Sequence, residues 1–333
     1  MHLAITTDWL TTFGGAEHVI AEMCTLWPDA PIFTTIHDPL VSGIQYPVSG
    51  VYSSSLQSWY RLVRNHRPLL PWMPRAVESW DLRGYDIIMS SSHAVAKGCI
   101  PESDATHICY CHTPMRYAWE MEEQYLEDFR IPRVLRPLVK QQLAKLRRWD
   151  LTTAKRVDFF IANSSTTQER IRRIYGRESV VLHPPVGDRF FHDQLPTTNH
   201  QPPYFLALGR LVPYKRFDLL IEVANRMKLT LRIAGSGPDE RRLKKIAGET
   251  VEFLGYVPDT TLPELYGSAK AFLFPVEEDA GIAPLEAQAC GTPVIAYGKG
   301  GALDTVKGGT TVPGVPTGQS TGIFFTEQTP ASL

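Results

Sequence analysis

The stretch YFLALGRLVPYKRFDLLIEVANRMKLTLRIAGSGP, residues 204–238, decides the architecture. It opens on the apolar run 204–209 (YFLALG) and continues near 216–227 with apolar residues at helical spacing. It closes on a second apolar run, 229–234 (LTLRIA). Two short apolar runs joined by an amphipathic helix read as buried parallel strands and their crossover. The alternation continues downstream with strands at 251–254 (VEFL), 270–274 (KAFLF) and 293–297 (PVIAY), and helices near 238–247, 261–268 and 284–290.

Upstream the same rhythm holds. Candidate strands are 2–7 (HLAITT), 31–36 (PIFTTI), 85–90 (YDIIMS), 106–111 (THICYC), 157–162 (VDFFIA) and 179–183 (SVVLH). Ala16, Val19, Ile20, Met23 and Trp27 recur at helical spacing, and Ser165 reads as the N-cap of another helix. Residues 192–203 (HDQLPTTNHQPP) are polar, proline-rich and aperiodic, so they read as a linker. The expectation is an α/β protein of two facing doubly wound, Rossmann-like domains, 1–191 and 204–333. Ligands would bind at the carboxyl ends of the strands, in a cleft between the domains.

The 333 residues carry 34 Lys+Arg and 35 Asp+Glu, a net charge of −1, which argues against nucleic acid as a partner. No run of 18 apolar residues occurs, and HLAITTDWL reads as an immediate first strand without the charged start of a signal peptide. A cytosolic protein able to rest on a membrane is expected. The five cysteines form no disulfide framework. In His107-x-Cys109-x-Cys111-His112 the two thiols share a strand face and His112 points the other way, so buried thiols are expected there rather than a metal site.

Four features bear on chemistry. Gly209-Arg210 ends one strand and Lys215 opens the next helix. Two cations there suit a diphosphate, because cations at a helix start otherwise oppose its dipole. Gly235-Ser236-Gly237-Pro238 permits close backbone approach, with Pro238 in the first helical turn, although a plain tight turn has the same composition. In EEDAGIAPLE, 277–286, Pro284 fits the first helical position and Gly291 a left-handed cap. Amides at that helix start would face a phosphate. Acids beside it would repel anions, and make sense as acceptors of hydrogen bonds from sugar hydroxyls. Finally, Gly14-Gly15 precedes the first helix and His112 ends a strand facing the same cleft, against the plainer reading of a structural histidine.

Taken together these motifs resemble the retaining glycosyltransferases of family 4, of GT-B architecture, over nearly the whole chain. The E-x(7)-E signature stands as Glu278 and Glu286, GR-x(4)-K as Gly209, Arg210 and Lys215, and GGAE at 14–17. Ala280 departs from the pattern, since the family often has an aromatic residue there. The resemblance implies that Arg210 and Lys215 hold the donor diphosphate, helped by amides around Gly281, Ile282 and Ala283. It implies that Glu278 and His112 contact the donor sugar and Glu286 the ribose, with the base near Gly255, Tyr256 and Val257. Gly14, Gly15 and Gly235 would line the donor site. No Asp-x-Asp occurs, so cations rather than a metal would stabilise the leaving group, and no cofactor is expected. Same-face attack is the preferred route to retention, because no carboxylate nucleophile can be placed behind the anomeric carbon.

TDWLTTFGGAE, CYCHTPMRYAWE and EAQACGTPVIAYGKGGALDTV further resemble bacterial surface-polysaccharide mannosyltransferases that use GDP-mannose. That implies a lipid-linked or polysaccharide acceptor. A UDP-sugar donor, a sugar-nucleotide epimerase on the same architecture, and a non-catalytic sugar-nucleotide-binding subunit are the rival readings. The last is prompted by the ending TGIFFTEQTPASL: Thr329-Pro330 looks like the start of a helix, and the resemblance implies terminal helices that cross back to the first domain. Residues 130–156 hold nine Lys/Arg against one acid, Asp150, with Leu135, Leu138, Val139, Leu143 and Leu146 near helical spacing. This segment is the expected contact with an anionic membrane.

Overall fold

The computed structural model describes residues 1–12, 14–40, 50–128, 131–191, 203–308 and 320–333. Two compact units divide the chain, Met1–Pro185 and Val186–Leu333. Residues 192–202 of the expected linker lie outside the described residues.

The N-terminal unit is built on seven parallel strands: β1 (Leu3–Thr7), β2 (Ile32–Thr34), β3 (Val51–Ser53), β4 (Ile87–Ser92), β5 (Thr106–Cys111), β6 (Phe159–Ala162) and β7 (Ser179–Val181). Their order is β3-β2-β1-β4-β5-β6-β7, so the chain reverses direction across the sheet between β1 and β4. Its helices are α1 (Gly15–Leu26), α2 (Leu56–Val63), α3 (Met73–Glu78), α4 (Arg116–Trp119), α5 (Glu122–Asp128), α6 (Arg136–Thr153) and α7 (Ser165–Tyr175). α1 is amphipathic: Val19, Ile20 and Met23 bury against Ile5, Ile32 and Met89 of the sheet. α7 is capped at Ser164, not at the expected Ser165, whose predecessor's hydroxyl accepts the Thr167 N–H at 3.1 Å.

The C-terminal unit has six parallel strands in the order β10-β9-β8-β11-β12-β13. These are β8 (Tyr204–Leu208), β9 (Leu231–Ala234), β10 (Val251–Gly255), β11 (Ala269–Phe274), β12 (Val294–Tyr297) and β13 (Gly322–Phe325). α8 (Phe217–Met227), α9 (Glu240–Ile246), α10 (Leu262–Gly267), α11 (Ile282–Ala289) and α12 (Ala302–Thr305) cover it. Leu206 and Ala207, neighbours on β8, enter two different cores, as a strand buried on both faces requires. Both sheets are doubly wound.

Three local expectations are corrected. The helix expected at 284–290 begins at Ile282, because Gly281 takes a left-handed conformation (φ 70°) and turns the chain early. Pro284 is therefore its third residue. Pro238 lies before α9, which starts at Glu240. Lys215 ends a 3-10 turn, Pro213–Lys215, and left-handed Arg216 (φ 55°) separates it from α8.

Arg130 of the basic segment 130–156 lies outside the described residues, and the rest keeps its expected form only in part. Leu143 and Leu146 of α6 are buried in the core, whereas Leu135 and Leu138 are exposed. Lys140 pairs with Glu122 and Glu123, Arg147 with Glu122, and Arg156 with Glu78 at 2.8 Å. Acids from other helices thus neutralise three of its cations. Deeper in, Asp150 of α6 is fully buried and accepts from Lys97, from the Trp119 indole at 2.7 Å and from the Tyr175 hydroxyl at 2.9 Å.

Candidate active site

In the C-terminal unit backbone contacts tie the loop after β8 to that after β9, and the loop after β11 to that after β12. The Gly209 N–H donates to Ala234, Leu211 to Ser236, and Asp239 to Leu211, all at 3.0–3.1 Å. A Cβ at Gly235 would lie 2.0 Å from the Gly209 carbonyl oxygen, so the missing side chain lets these two loops meet. The Gly301 N–H, after β12, donates to the Glu278 carbonyl at 2.8 Å.

On this platform the Lys215 ammonium and the Glu278 carboxylate meet at 2.6 Å. Burial opposes the charge on Lys215, but Glu278 outweighs it and Lys215 titrates above its ordinary value. Arg210 is exposed, with no ion-pair partner among the described residues. Gly281 caps α11, and Ile282 and Ala283 are its first two residues, whose N–H groups have no intrahelical acceptor. One face of the unit thus gathers a cation pair, a carboxylate and free helix amides.

Glu286 is buried on α11 and accepts from the Tyr266 hydroxyl at 2.9 Å. Burial pushes its carboxyl above the usual range, against the Tyr266 hydrogen bond. Tyr256 and Val257 line an opening of about 330 Å³ with Tyr204, Arg232 and Glu264, and the Gly255 carbonyl just before them accepts the Gly235 N–H at 2.6 Å.

In the N-terminal unit, Gly14 caps α1 and its N–H donates to Glu17 at 3.0 Å; Gly15 is the first helical residue. His112 follows β5, and its Nε2 lies 2.8 Å from the Ser91 hydroxyl. Sequence reasoning missed its surroundings. Asp8, after β1, is fully buried and accepts the N–H groups of His93, Ala94, Val95 and Ala96 at 2.6–3.0 Å. Its carboxylate also meets the His93 ring at 3.0 Å. The available signal was positional: Asp8, His93 and His112 each stand just past one of three adjacent strands, β1, β4 and β5. Cys109 and Cys111 share a buried face of β5, and all five cysteines are free.

The electrostatics of this cluster split the histidines. Burial opposes charge on His93, but Asp8 overrides it and raises the ring above its ordinary value. Burial, and then the nearby His93, push His112 down to about 3. Burial likewise takes His107 down to about 4. Both low rings are neutral when folded and must take up a proton on unfolding below about pH 6.5. Stability of this unit should therefore fall as the pH drops from about 6.5 towards 4. The slope should approach about 1.4 kcal/mol per pH unit for each ring. His93 has the opposite sign: its contribution is complete below 6.5 and fades as the pH rises through its folded value. All seven tryptophans lie in this unit, so urea unfolding followed by tryptophan fluorescence reads it selectively. A flat profile between pH 7 and 4 would contradict the neutral rings.

Comparison with known proteins places this arrangement. Residues 13–190 match the profile Glycosyltransferase Family 4, and residues 188–331 match Glycosyl transferases group 1. The chain belongs to glycosyltransferase family 4. A GDP-mannose-dependent alpha-(1-6)-phosphatidylinositol monomannoside mannosyltransferase of Mycolicibacterium smegmatis is 35% identical over 176 residues, 44% of this chain and 46% of the relative. The mannosylfructose-phosphate synthase of Agrobacterium fabrum is 27% identical over 275 residues, 73% of this chain and 61% of the relative. The chain thus spans about half the length of these curated relatives. Sucrose-phosphate synthase from Thermosynechococcus elongatus superposes with a TM-score of 0.72 at 18% identity, covering 100% of this chain and 88% of that one. Anabaena HepE, solved with UDP and glucose, gives 0.66 at 18% identity, with 100% and 87% covered. The fold is GT-B.

Proposed function

We propose that the protein is a retaining hexosyltransferase that moves mannose from GDP-mannose to a lipid-linked or polysaccharide acceptor in bacterial cell-surface glycan synthesis. The Lys215–Glu278 pair beside the start of α11 carries the reading. A nucleoside diphosphate needs cations and amides, a hexose needs a hydroxyl acceptor, and this one locus supplies both kinds.

In this reading Arg210, Lys215 and the amides of Gly281, Ile282 and Ala283 take the charge that develops on the departing nucleotide. Those cations stand where a divalent metal would otherwise act, so turnover is proposed to need none. Glu278 accepts from sugar hydroxyls, and the Glu286 oxygen not held by Tyr266 accepts from the ribose. Tyr256 and Val257 flank the base, while Gly14, Gly15, Gly209 and Gly235 leave room for the donor. His112, held neutral, can offer a hydrogen bond to the sugar without placing a second full charge beside the forming oxocarbenium ion. The leaving phosphate takes the acceptor proton on the same face. Mannose is favoured because the relatives are named as mannosyl enzymes.

The test is scanning calorimetry with GDP-mannose and UDP-glucose, read beside nucleotide release. At a hundredfold excess over Kd, GDP-mannose should raise the melting temperature of the C-terminal unit by roughly 5–10 °C. Release of GDP should accompany it. A larger shift with UDP-glucose would overturn the mannosyl assignment, and stabilisation without nucleotide release would mark a binding subunit.

A further inference from the structure

Besides 130–156, the N-terminal unit has a second stretch of one sign. The 25 positions 53–77 hold four arginines, Arg61, Arg64, Arg67 and Arg75, and no acid. α2 buries Leu56 and Tyr60, which pack with Leu69, Leu70 and Met73 of the following turn and α3. That anchors the segment to the core. Its other apolar side chains are left outside. Trp59, Leu62 and Val63 are 61%, 78% and 44% exposed, and their i, i+3, i+4 spacing makes them one stripe of α2. Trp72, on the adjoining 3-10 turn Arg67–Trp72, is 55% exposed.

Scattered exposed leucines are ordinary, but two tryptophans more than half exposed within fourteen residues are not. A tryptophan sits most favourably where one side is apolar and the other wet, with arginines reaching to phosphates beside it. Arg61 and Arg75 are exposed and make no ion pair among the described residues; Arg64 approaches Asp38 only at 3.7 Å. α6, by contrast, has given Lys140 and Arg147 to neighbouring acids and Leu143 and Leu146 to the core, and Arg156, in the turn after it, is paired with Glu78.

We infer that α2 and the 3-10 turn after it form the membrane-contacting surface of this protein, and that its partner is the anionic headgroup region of a bilayer. Trp59, Leu62, Val63 and Trp72 enter the headgroup–acyl boundary, and Arg61 and Arg75 meet lipid phosphates. The contact is peripheral, since no helix among the described residues is long and apolar enough to cross a membrane. It does not rest on the identity of the donor. A glycosyltransferase held this way meets a lipid-linked acceptor by diffusion in two dimensions.

The experiment is co-sedimentation of the full chain with phosphatidylcholine vesicles containing 30% or no phosphatidylglycerol, at about 20 mM and 500 mM salt, where screening differs several-fold. Binding is expected with the anionic lipid at low salt, and at least tenfold weaker binding in high salt or without phosphatidylglycerol. The pair Trp59→Ser/Leu62→Ser, and separately Arg61→Glu/Arg75→Glu, should each weaken binding at least tenfold. Lys145→Glu/Arg148→Glu on α6 should leave it unchanged. All four positions of the first two variants are exposed, and unaltered urea unfolding confirms that the fold is kept. No binding of the parent protein at low salt overturns the inference, as does loss of binding in the α6 variant alone. Retained binding in both surface variants overturns it too.

Discussion

Lys215→Ala should lower kcat/KM for the nucleotide-sugar by about 10²–10³-fold, the loss expected when one donor to a developing anion is removed. The effect is large because the substitution does two things. It deletes a cation from the proposed diphosphate site, and it leaves the Glu278 carboxylate, formerly bonded at 2.6 Å, unpaired beside the phosphates. Both KM and kcat should suffer, since a phosphate contact acts in ground and transition states alike. Glu278→Gln keeps a hydrogen-bonding oxygen and should reduce mainly kcat. Lys215→Arg restores charge but not the compact geometry of the ammonium, so partial recovery is expected. Steady-state kinetics with a melting curve for each variant is the check. Undiminished kcat/KM in a folded Lys215→Ala protein would remove this pair from the chemistry.

For stability, Asp150→Ala should cost the N-terminal unit about 3–5 kcal/mol, as breaking a fully buried ion pair by removing one member does. Lys97 is only 2% exposed in its side chain, so its ammonium would be left without an anion in the core. The Trp119 and Tyr175 donors would lose their acceptor as well. Set against a total of about 5–15 kcal/mol for an ordinary domain, this approaches unfolding. Replacing both members, Lys97→Met with Asp150→Leu, should recover part of the loss, because no buried charge then remains. Urea denaturation followed by tryptophan fluorescence measures both. A loss below about 1 kcal/mol for Asp150→Ala would show that water reaches the pair.

The strands were the most legible part of the molecule, and for a physical reason. A parallel strand buried on both faces has no polar alternation to confuse it, so 204–208 and 294–297 stand out as apolar runs. Edge strands β3 and β13 are short and carried no such mark. α3 and the 3-10 turn before it were harder to see, since Pro68, Pro71 and Pro74 interrupt the spacing by which a helix is recognised. Lys215 and Glu278 could each be picked out by motif, but not their direct contact, which depends on how two loops far apart in the chain converge. Asp8 and His93 escaped for the same reason. Their partnership spans 85 positions, and neither belongs to a spacing pattern. The ion pairs of the basic run 130–156 escaped too, because local charge counting cannot see Glu122, Glu123 and Glu78 folding back on it.

The backbone contacts between Gly209, Leu211, Gly235 and Gly237 have a bearing on how this site can change over evolutionary time. A Cβ at Gly237 would lie 2.2 Å from the Leu211 carbonyl, so each loop is the mould in which the other is cast. Neither can be inherited without its counterpart. Recombination between relatives with a crossover anywhere from 211 to 235 would splice a loop to a stranger's complement, and such chimaeras should be purged. Viable exchange must carry both loops as one cassette, leaving single substitutions at exposed positions outside it as the finer means of adjustment.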